Sequence, residues 1–143
     1  MISLPLSELL SVFLFASTLM LLLWLTYLQT KNPTIVDLGW TISIAFAAWF
    51  YGIRGGGDFL HRAIIISMVT FWGFRLSSHL FLHRILPKIE DGRYTQLKKI
   101  WTKNTDWIFL GFFELQAIVA TILSIPFLII TQNSATSLTY WEY

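Results

Sequence analysis

Four long apolar segments constrain this chain more than any other feature of its sequence. They run over residues 9–28, 36–53, 63–83 and 107–131. A helix that crosses a bilayer needs about 20 mostly apolar residues, because every backbone polar group in the hydrocarbon must find its partner within the segment. The pattern predicts an all-α fold, a polytopic membrane bundle of about four transmembrane helices that forms one membrane domain over residues 1–143.

The composition favours a membrane protein and excludes several other classes. Only 13% of the residues are charged and the mean hydropathy is +0.63, whereas soluble domains carry about 25% charged residues. The chain has no cysteine, which excludes a disulfide framework and thiolate chemistry. Its net charge is only +2, and no basic patch lies in polar surroundings. We therefore expect membrane lipid as a partner and no nucleic acid.

Lysine and arginine residues are distributed unequally between the loops. Seven lie at Lys31 and in the polar loop 84–106, whereas the loop on the other side has only Arg54 and Arg62. Because cytoplasmic loops are enriched in lysine and arginine, we expect the loop 84–106 to face the cytoplasm and both termini to face the other side. The sequence thus predicts an integral protein of an inner (cytoplasmic) or endoplasmic reticulum membrane.

The third span contains an arginine, which is costly in a bilayer. Arg75 lies nine residues before Arg84, about 13 Å inside the boundary at about 1.5 Å of rise per residue. Glu114 lies at a similar depth of about 10 Å in the fourth span. An arginine at the bilayer centre costs about 2.5–3.5 kcal/mol. We therefore expect Arg75 to face a polar interior and to pair with Glu114, either as part of a site or as a purely structural pair.

Other polar residues of these spans allow several roles. His79 and His83 continue the polar stripe of Arg75 at helical spacing, so packing, ligand contact and metal binding are all open to them. Two histidines without a third ligand do not define a metal site, and no metal is predicted. Gln116 lies about 200° around the helix from Glu114 and is expected to face a different neighbour.

Asp37 lies where the second span begins. It belongs to the stretch "NPTIVDLGW" over residues 32–40, close to Trp40. Aspartate at such a position commonly caps a helix. The alternative is that Asp37 and Trp40 line a polar cavity in the same half of the membrane as Arg75.

The loop before the fourth span contains the stretch "EDGRY" over residues 90–94. Asp91 and Arg93 have opposite charges, so they could fix a tight turn at the intervening glycine or hold a phosphate or hydroxyl of a ligand. Tyr94 begins a pattern of apolar residues at helical spacing opposite several lysines. This pattern predicts an interfacial amphipathic helix with a basic face.

Four motifs in order carry a resemblance to a known family. They are "NPTIVDLGW" (32–40), "FWGFRLSSHLFLHR" (71–84), "EDGRY" (90–94) and "FFELQAIVATILSIP" (112–126). Together they resemble the membrane proteins grouped with the steroid 5-alpha-reductase-like (3-oxo-5-alpha-steroid 4-dehydrogenase) proteins. The resemblance implies NADPH-dependent reduction of a lipid or steroid-like enone, with the cofactor bound at the cytoplasmic side and a protein acid that assists hydride transfer.

No nucleophilic triad or paired-carboxylate site can be assembled from the sequence, so catalytic residues stay unassigned. The residues that match the shared motifs of the family are Asp37, Arg75, Asp91, Arg93 and Tyr94. The full set of candidates for a substrate or cofactor cavity is Asp37, Trp40, Arg75, His79, Asp91, Arg93, Tyr94, Glu114 and Gln116.

The resemblance extends over the amino-terminal half of such proteins. Related proteins continue with further spans, which include a His-Pro-Asn-Tyr-x-Gly-Glu type of segment and polar positions for the cofactor. The aromatic residues Tyr140, Trp141 and Tyr143 look like the entrance to a fifth span. We therefore expect this chain alone to lack a complete cofactor site. A second polypeptide or a homo-oligomer would then supply the missing spans, and a non-catalytic membrane protein or an idle relic is the alternative.

Overall fold

The computed structural model describes residues 5–134, and over that range the chain is helical with loops and no strand. The described elements are α1 (Leu6–Thr30), α2 (Ile35–Arg54), α3 (Phe59–Leu80), a π-helical segment (Phe81–Ile85), α4 (Gly92–Ile100), α5 (Thr105–Leu123) and α6 (Ile125–Thr131). The predicted entrance to a fifth span at residues 140–143 lies outside the described residues.

Four helical stretches are long and apolar enough to cross a membrane. They are Leu6–Thr30, Ile35–Arg54, Phe59–Ile85 and Thr105–Thr131. Each is slightly longer than the apolar segment that predicted it, because polar residues at the boundaries continue the helix. The all-α class with four membrane-spanning helices is confirmed, and the protein is an integral membrane protein.

Helix α2 lies at the centre of the bundle. It packs against α1, α3, α5 and α6, whereas α5 packs mainly on α1 and α3 packs on α2 and α6. Small residues on α2 allow this close approach: a Cβ atom added at Gly52 would lie 2.5 Å from Cδ1 of Ile66, and one at Gly39 would lie 3.2 Å from Sδ of Met20. Membrane helices associate closely at such small residues because no side chain separates their backbones.

The third and fourth spans both contain an irregularity that the apolar pattern does not predict. The third span ends in the π-helical segment, and the fourth is interrupted at Ser124 between α5 and α6. Pro126 has no backbone N–H and cannot continue the hydrogen-bond ladder of α5. The buried Ser124 hydroxyl compensates, since it donates to the carbonyl oxygen of Thr121 at 2.7 Å and shares a hydrogen bond with Tyr51 at 3.1 Å.

The two ends of the bundle differ in composition. We call one end the basic end, formed by residues 30–37 and 84–106, and the other the glycine end, formed by residues 54–58 and 131–134. The glycine end is closed by two hydrogen bonds between backbone atoms of its two segments, with N···O distances of 3.1 and 2.8 Å. The basic end is closed by side chains, and it contains the candidate site.

Candidate functional site at the basic end

Asp37 accepts hydrogen bonds from a different element of the fold. It is the third residue of α2, where the positive end of the helix dipole favours a carboxylate. One carboxylate oxygen accepts from the Tyr94 hydroxyl at 2.7 Å, and the other accepts from Nη2 of Arg93 at 3.2 Å. The helix N-cap is Thr34, so the capping role considered for Asp37 is not the one its side chain has.

Asp91 holds Arg93 in place from the other side. Its carboxylate accepts from the backbone N–H of Arg93 at 2.9 Å and from Nε of Arg93 at 3.1 Å, which caps the start of α4. Its own backbone N–H donates to Oγ1 of Thr34 at 3.0 Å. Arg84 approaches the same carboxylate at 3.9 Å. We call Asp37, Asp91, Arg93 and Tyr94 the carboxylate cluster, and it joins α4 to the start of α2.

Contacts within the carboxylate cluster shift the pKa values of its members. The hydrogen bonds from Arg93 lower the pKa of Asp91 below its ordinary value of 3.8, and the same contact raises the pKa of Arg93. Burial raises the pKa of Tyr94, and the neighbouring carboxylate of Asp37 raises it further. The Tyr94 hydroxyl therefore stays protonated at neutral pH and can donate its hydrogen bond to Asp37.

Aromatic packing places α4 against the bundle. The ring of Tyr94 is only 3% exposed and lies edge-on to Phe112, with ring centres 5.9 Å apart. Trp101, directly after α4, lies edge-on to Phe109 at 5.4 Å. The lysine side is solvated at Lys99, so the predicted amphipathic helix is present in α4, although it ends at Ile100.

A second polar junction lies beside the carboxylate cluster and was not among the predicted site residues. Asp106, in the first turn of α5, accepts from the Tyr27 hydroxyl at 2.9 Å and from Nζ of Lys31 at 2.7 Å. Its backbone carbonyl accepts from the indole of Trp24 at 2.8 Å. The sequence did show an acidic residue in the first turn of the fourth span. Acidic residues are common in the first turn of any helix, so this position alone did not indicate a polar junction.

A cleft of about 450 Å³ opens beside the carboxylate cluster. It lies between the end of α1, the start of α2 and the turn that follows the π-helical segment. Its lining residues are Thr26, Gln29, Thr30, Asn32, Thr34, Ile35, Ile85 and Lys88. Thr34 belongs to the wall of the cleft and also accepts from Asp91, so the cleft and the carboxylate cluster are neighbours.

The prediction that Arg75 pairs with Glu114 is wrong, since the two side chains form no hydrogen bond or ion pair with each other in the described part of the chain. Glu114 accepts from the Ser17 hydroxyl of α1 at 2.6 Å, and Arg75 lies exposed on α3 with no ion pair among these residues. The two side chains have similar depths, but α3 packs on α2 and α6 whereas α5 packs on α1. Equal depth therefore did not make them neighbours.

The other candidates also lie away from the carboxylate cluster. His79 is exposed on α3, and its ring stacks on His83 with centres 4.5 Å apart. Trp40 lies edge-on to Trp72 at 6.1 Å, and its buried indole N–H finds no acceptor in the described part of the chain. Gln116 is half-buried on α5. The structure thus brings four of the nine candidates together, at the membrane boundary rather than within the bilayer.

An all-helical membrane bundle with a charged cluster at one end defines the class of this protein, and sequence comparison identifies its family. Residues 23–143 match the family described as "Protein of unknown function (DUF1295)". The match includes every residue of the carboxylate cluster and most of the chain, so the protein belongs to this family. No curated protein and no solved structure matches the chain.

Proposed function

We propose that the protein contributes one part of an NADPH-dependent membrane reductase that acts on a lipid or steroid-like enone. The observation that supports this proposal is the carboxylate cluster. It joins Asp37 of the motif "NPTIVDLGW" to the motif "EDGRY", two of the stretches that resemble the reductase-like proteins. In this proposal the cluster fixes α4 against α2 and so shapes the end of the bundle at which the cofactor binds.

The described residues do not fit a whole nicotinamide cofactor. Arg93 is bonded to Asp37 and Asp91, and Lys98 is paired with Glu90 at 2.7 Å, so these cations are already neutralised. A phosphorylated dinucleotide has several phosphate groups to neutralise, and the neighbouring cleft has one lysine in its lining. We therefore derive no chemical step from these residues, since catalysis requires a positioned hydride donor.

We propose that further protein covers the outer side of α3 and completes the site. Arg75 and His79 are exposed there, beside Phe71, whose side chain is 74% exposed. An arginine facing lipid near the bilayer centre costs about 2.5–3.5 kcal/mol, and intramembrane charges normally face other helices. A helix of a second polypeptide, or of a second copy of this chain, would remove this cost.

The test of the reductase proposal is NADPH oxidation in membranes that contain the protein, with a lipid enone as substrate. The variant Asp37→Asn removes the charge that holds Arg93, and Asp106→Asn makes the same change at the same end but outside the carboxylate cluster. We expect the first variant to lose most of the enone-dependent NADPH oxidation and the second to retain it. Equal activity of both variants would contradict the proposal.

The purified chain alone offers a second test of the same proposal. Titration with NADPH, followed by cofactor fluorescence, is expected to show no saturable binding by the isolated protein at millimolar cofactor. Saturable binding would mean that a complete cofactor pocket exists without a partner. If enone-dependent activity is also absent from native membranes, a non-catalytic membrane protein becomes the better proposal. That alternative is favoured by the bonds of Arg93 to Asp37 and Asp91, which leave this guanidinium already paired with carboxylates of the chain itself.

We also propose that the basic end faces the cytoplasm, because seven of the ten lysine and arginine residues lie there. The absence of cysteine makes this orientation simple to measure. The variants Lys99→Cys and Gly56→Cys place single thiols at exposed positions of the two ends. A membrane-impermeant thiol reagent added outside intact cells is expected to label the second variant and not the first, and the reverse result would invert the orientation.

A further inference from the structure

We propose that the cleft at the basic end binds the phosphate group of an anionic phospholipid. The cleft has a volume of about 450 Å³, and no carboxylate belongs to its lining. Its polar side chains are hydroxyls, amides and one ammonium group, contributed by the end of α1, the following loop and Lys88. This composition suits an anion with several acceptor oxygens, because charge-assisted hydrogen bonds to such groups are the strongest that side chains form.

Three side chains of the cleft have donors that the bundle itself does not use. The Nζ of Lys88 and the amide of Gln29 make no hydrogen bond to residues 5–134, and Asn32 uses only its Oδ1, which accepts from the backbone N–H of Thr34 at 3.0 Å. This contact fixes the orientation of the Asn32 amide and leaves its NH₂ group available. The same lining therefore offers an ammonium and two amide donors to an incoming group.

The position of the cleft favours a lipid over a soluble phosphate compound. It lies where α1 ends and α2 begins, which is the level of lipid headgroups for a bundle with these spans. Ile35 and Ile85 form apolar parts of its wall, and the exposed side chains of Leu86 and Ile89 follow directly. A phospholipid can use both the donors and this apolar surface, whereas inorganic phosphate or a nucleotide can use only the donors.

Electrostatic attraction points to an anionic headgroup. The basic end has seven lysine and arginine residues, while its acidic residues, including Asp37 at the start of α2, number four. Each basic residue near a membrane surface contributes about 1 kcal/mol to the attraction of anionic lipids. The inference does not depend on the reductase proposal, because a phosphate site for lipid requires neither a cofactor nor a partner protein.

Native mass spectrometry of the full chain in detergent measures this binding directly. The probes are a phosphatidylglycerol and a phosphatidylcholine with the same acyl chains, and separate samples contain inorganic phosphate or NADPH as competitors. We expect one phosphatidylglycerol per chain to be retained at least fivefold more strongly than phosphatidylcholine. Equal retention of the two lipids would overturn the proposal. Displacement of the lipid by NADPH or phosphate at millimolar concentration would assign the cleft to a soluble phosphate compound instead.

Matched lysine variants separate the cleft from general attraction to the surface. Lys88→Gln removes the ammonium of the cleft, and Lys99→Gln removes one from the exposed side of α4. We expect about a fivefold weaker retention of phosphatidylglycerol for the first variant and less than a twofold change for the second. Equal effects would overturn the proposal. Asn32→Asp keeps the acceptor that caps Thr34 but adds a negative charge to the cleft, and it is expected to weaken retention at least as much as Lys88→Gln.

Discussion

The basic end and the glycine end both hold loops against neighbouring helices, but they use different interactions. At the basic end, side chains connect the elements, as in the bonds from Arg93 and Tyr94 to Asp37. At the glycine end, the backbone N–H of Gly57 donates to the carbonyl of Thr131 at 3.1 Å. The contacts at the basic end therefore depend on the charge and protonation of side chains. The contact at the glycine end depends on Gly57 having no side chain, which lets the two backbones approach.

This difference separates the functional candidates from the structural ones. Charged side chains that bridge two elements can respond to ligands, pH and salt, and the carboxylate cluster and the cleft lie at that end. The glycine end also has an ion pair, between Arg54 and Glu8 at 3.7 Å, but its connection to α6 is made by backbone atoms. Variants at the two ends should therefore differ in size of effect and in pH dependence.

The largest effect is expected for Gly57→Ala. A Cβ atom there would lie 2.5 Å from the carbonyl oxygen of Asn133 and 2.7 Å from that of Thr131, and backbone atoms cannot move aside as a side chain can. We expect the free energy of unfolding, measured in mixed micelles, to fall by about 3 kcal/mol. Gly56→Ala is the control, since a Cβ at Gly56 meets nothing within 4 Å. Similar losses for both variants would contradict the backbone explanation.

The next largest effect is expected for Asp37→Ala at the basic end. The change removes the acceptor of the partly buried Tyr94 hydroxyl and of Nη2 of Arg93. The partly buried hydrogen bond from Tyr94 to the charged carboxylate contributes about 1.5–3 kcal/mol, whereas the exposed one from Arg93 contributes little, so we expect a loss of about 2 kcal/mol in the same measurement. Asp37→Asn keeps an acceptor oxygen and should lose less. If Asp37→Ala lost more stability than Gly57→Ala, the side-chain contacts of the basic end would contribute more to stability than the backbone contact of the glycine end, contrary to our expectation.

A smaller loss of about 1.5 kcal/mol is expected for Tyr94→Phe, which keeps the ring against Phe112 and removes only the hydroxyl. Combining it with Asp37→Ala gives a double-mutant cycle. If the two residues act through their shared hydrogen bond, the double variant will lose clearly less than the sum of the single losses. Strict additivity would show that the two contributions are independent.

The smallest effect is expected from pH. The pKa of Asp91 is lower in the folded protein than its ordinary value of 3.8, so the folded state releases this proton more readily than the unfolded state. The resulting stabilisation is present above pH 4 and is lost as the pH falls through the lowered pKa of the folded state. The test is to measure the free energy of unfolding of the unmodified protein and of Asp91→Asn between pH 5 and 3. The difference between the two at each pH gives the contribution of the Asp91 carboxylate. The loss caused by Gly57→Ala should not change over this range.

The sequence predicted well the properties that depend on composition along one segment. Length and apolarity predicted the four spans, and the alternation of apolar residues and lysines predicted α4. Asp37 was recognised as a candidate near the membrane boundary, and Asp91, Arg93 and Tyr94 were recognised as candidates in the loop 84–106. Their mutual contacts were not predicted, because they depend on how the rings of α4 pack against α5, which no local pattern specifies.

The error concerning Arg75 and Glu114 has a different physical origin. Rise per residue gives the depth of a side chain in the membrane, but it does not say which helix lies beside it. The long connection between α3 and α5 allows α5 to return beside α1, where Ser17 takes the carboxylate of Glu114. Short loops make sequential helices neighbours, and residues 86–104 are long enough to relax that rule.

The π-helical segment Phe81–Ile85 acts as a one-residue register shift at the end of the third span. A π turn accommodates one residue more than the α-helical turn it replaces. Without that extra residue, every position after it would be rotated by about 100° around the helix axis. The turn that follows, with Lys88 in the wall of the cleft, would then leave the helix on a different side. The π-helical segment thus sets the direction in which the chain leaves the third span and enters the polar loop.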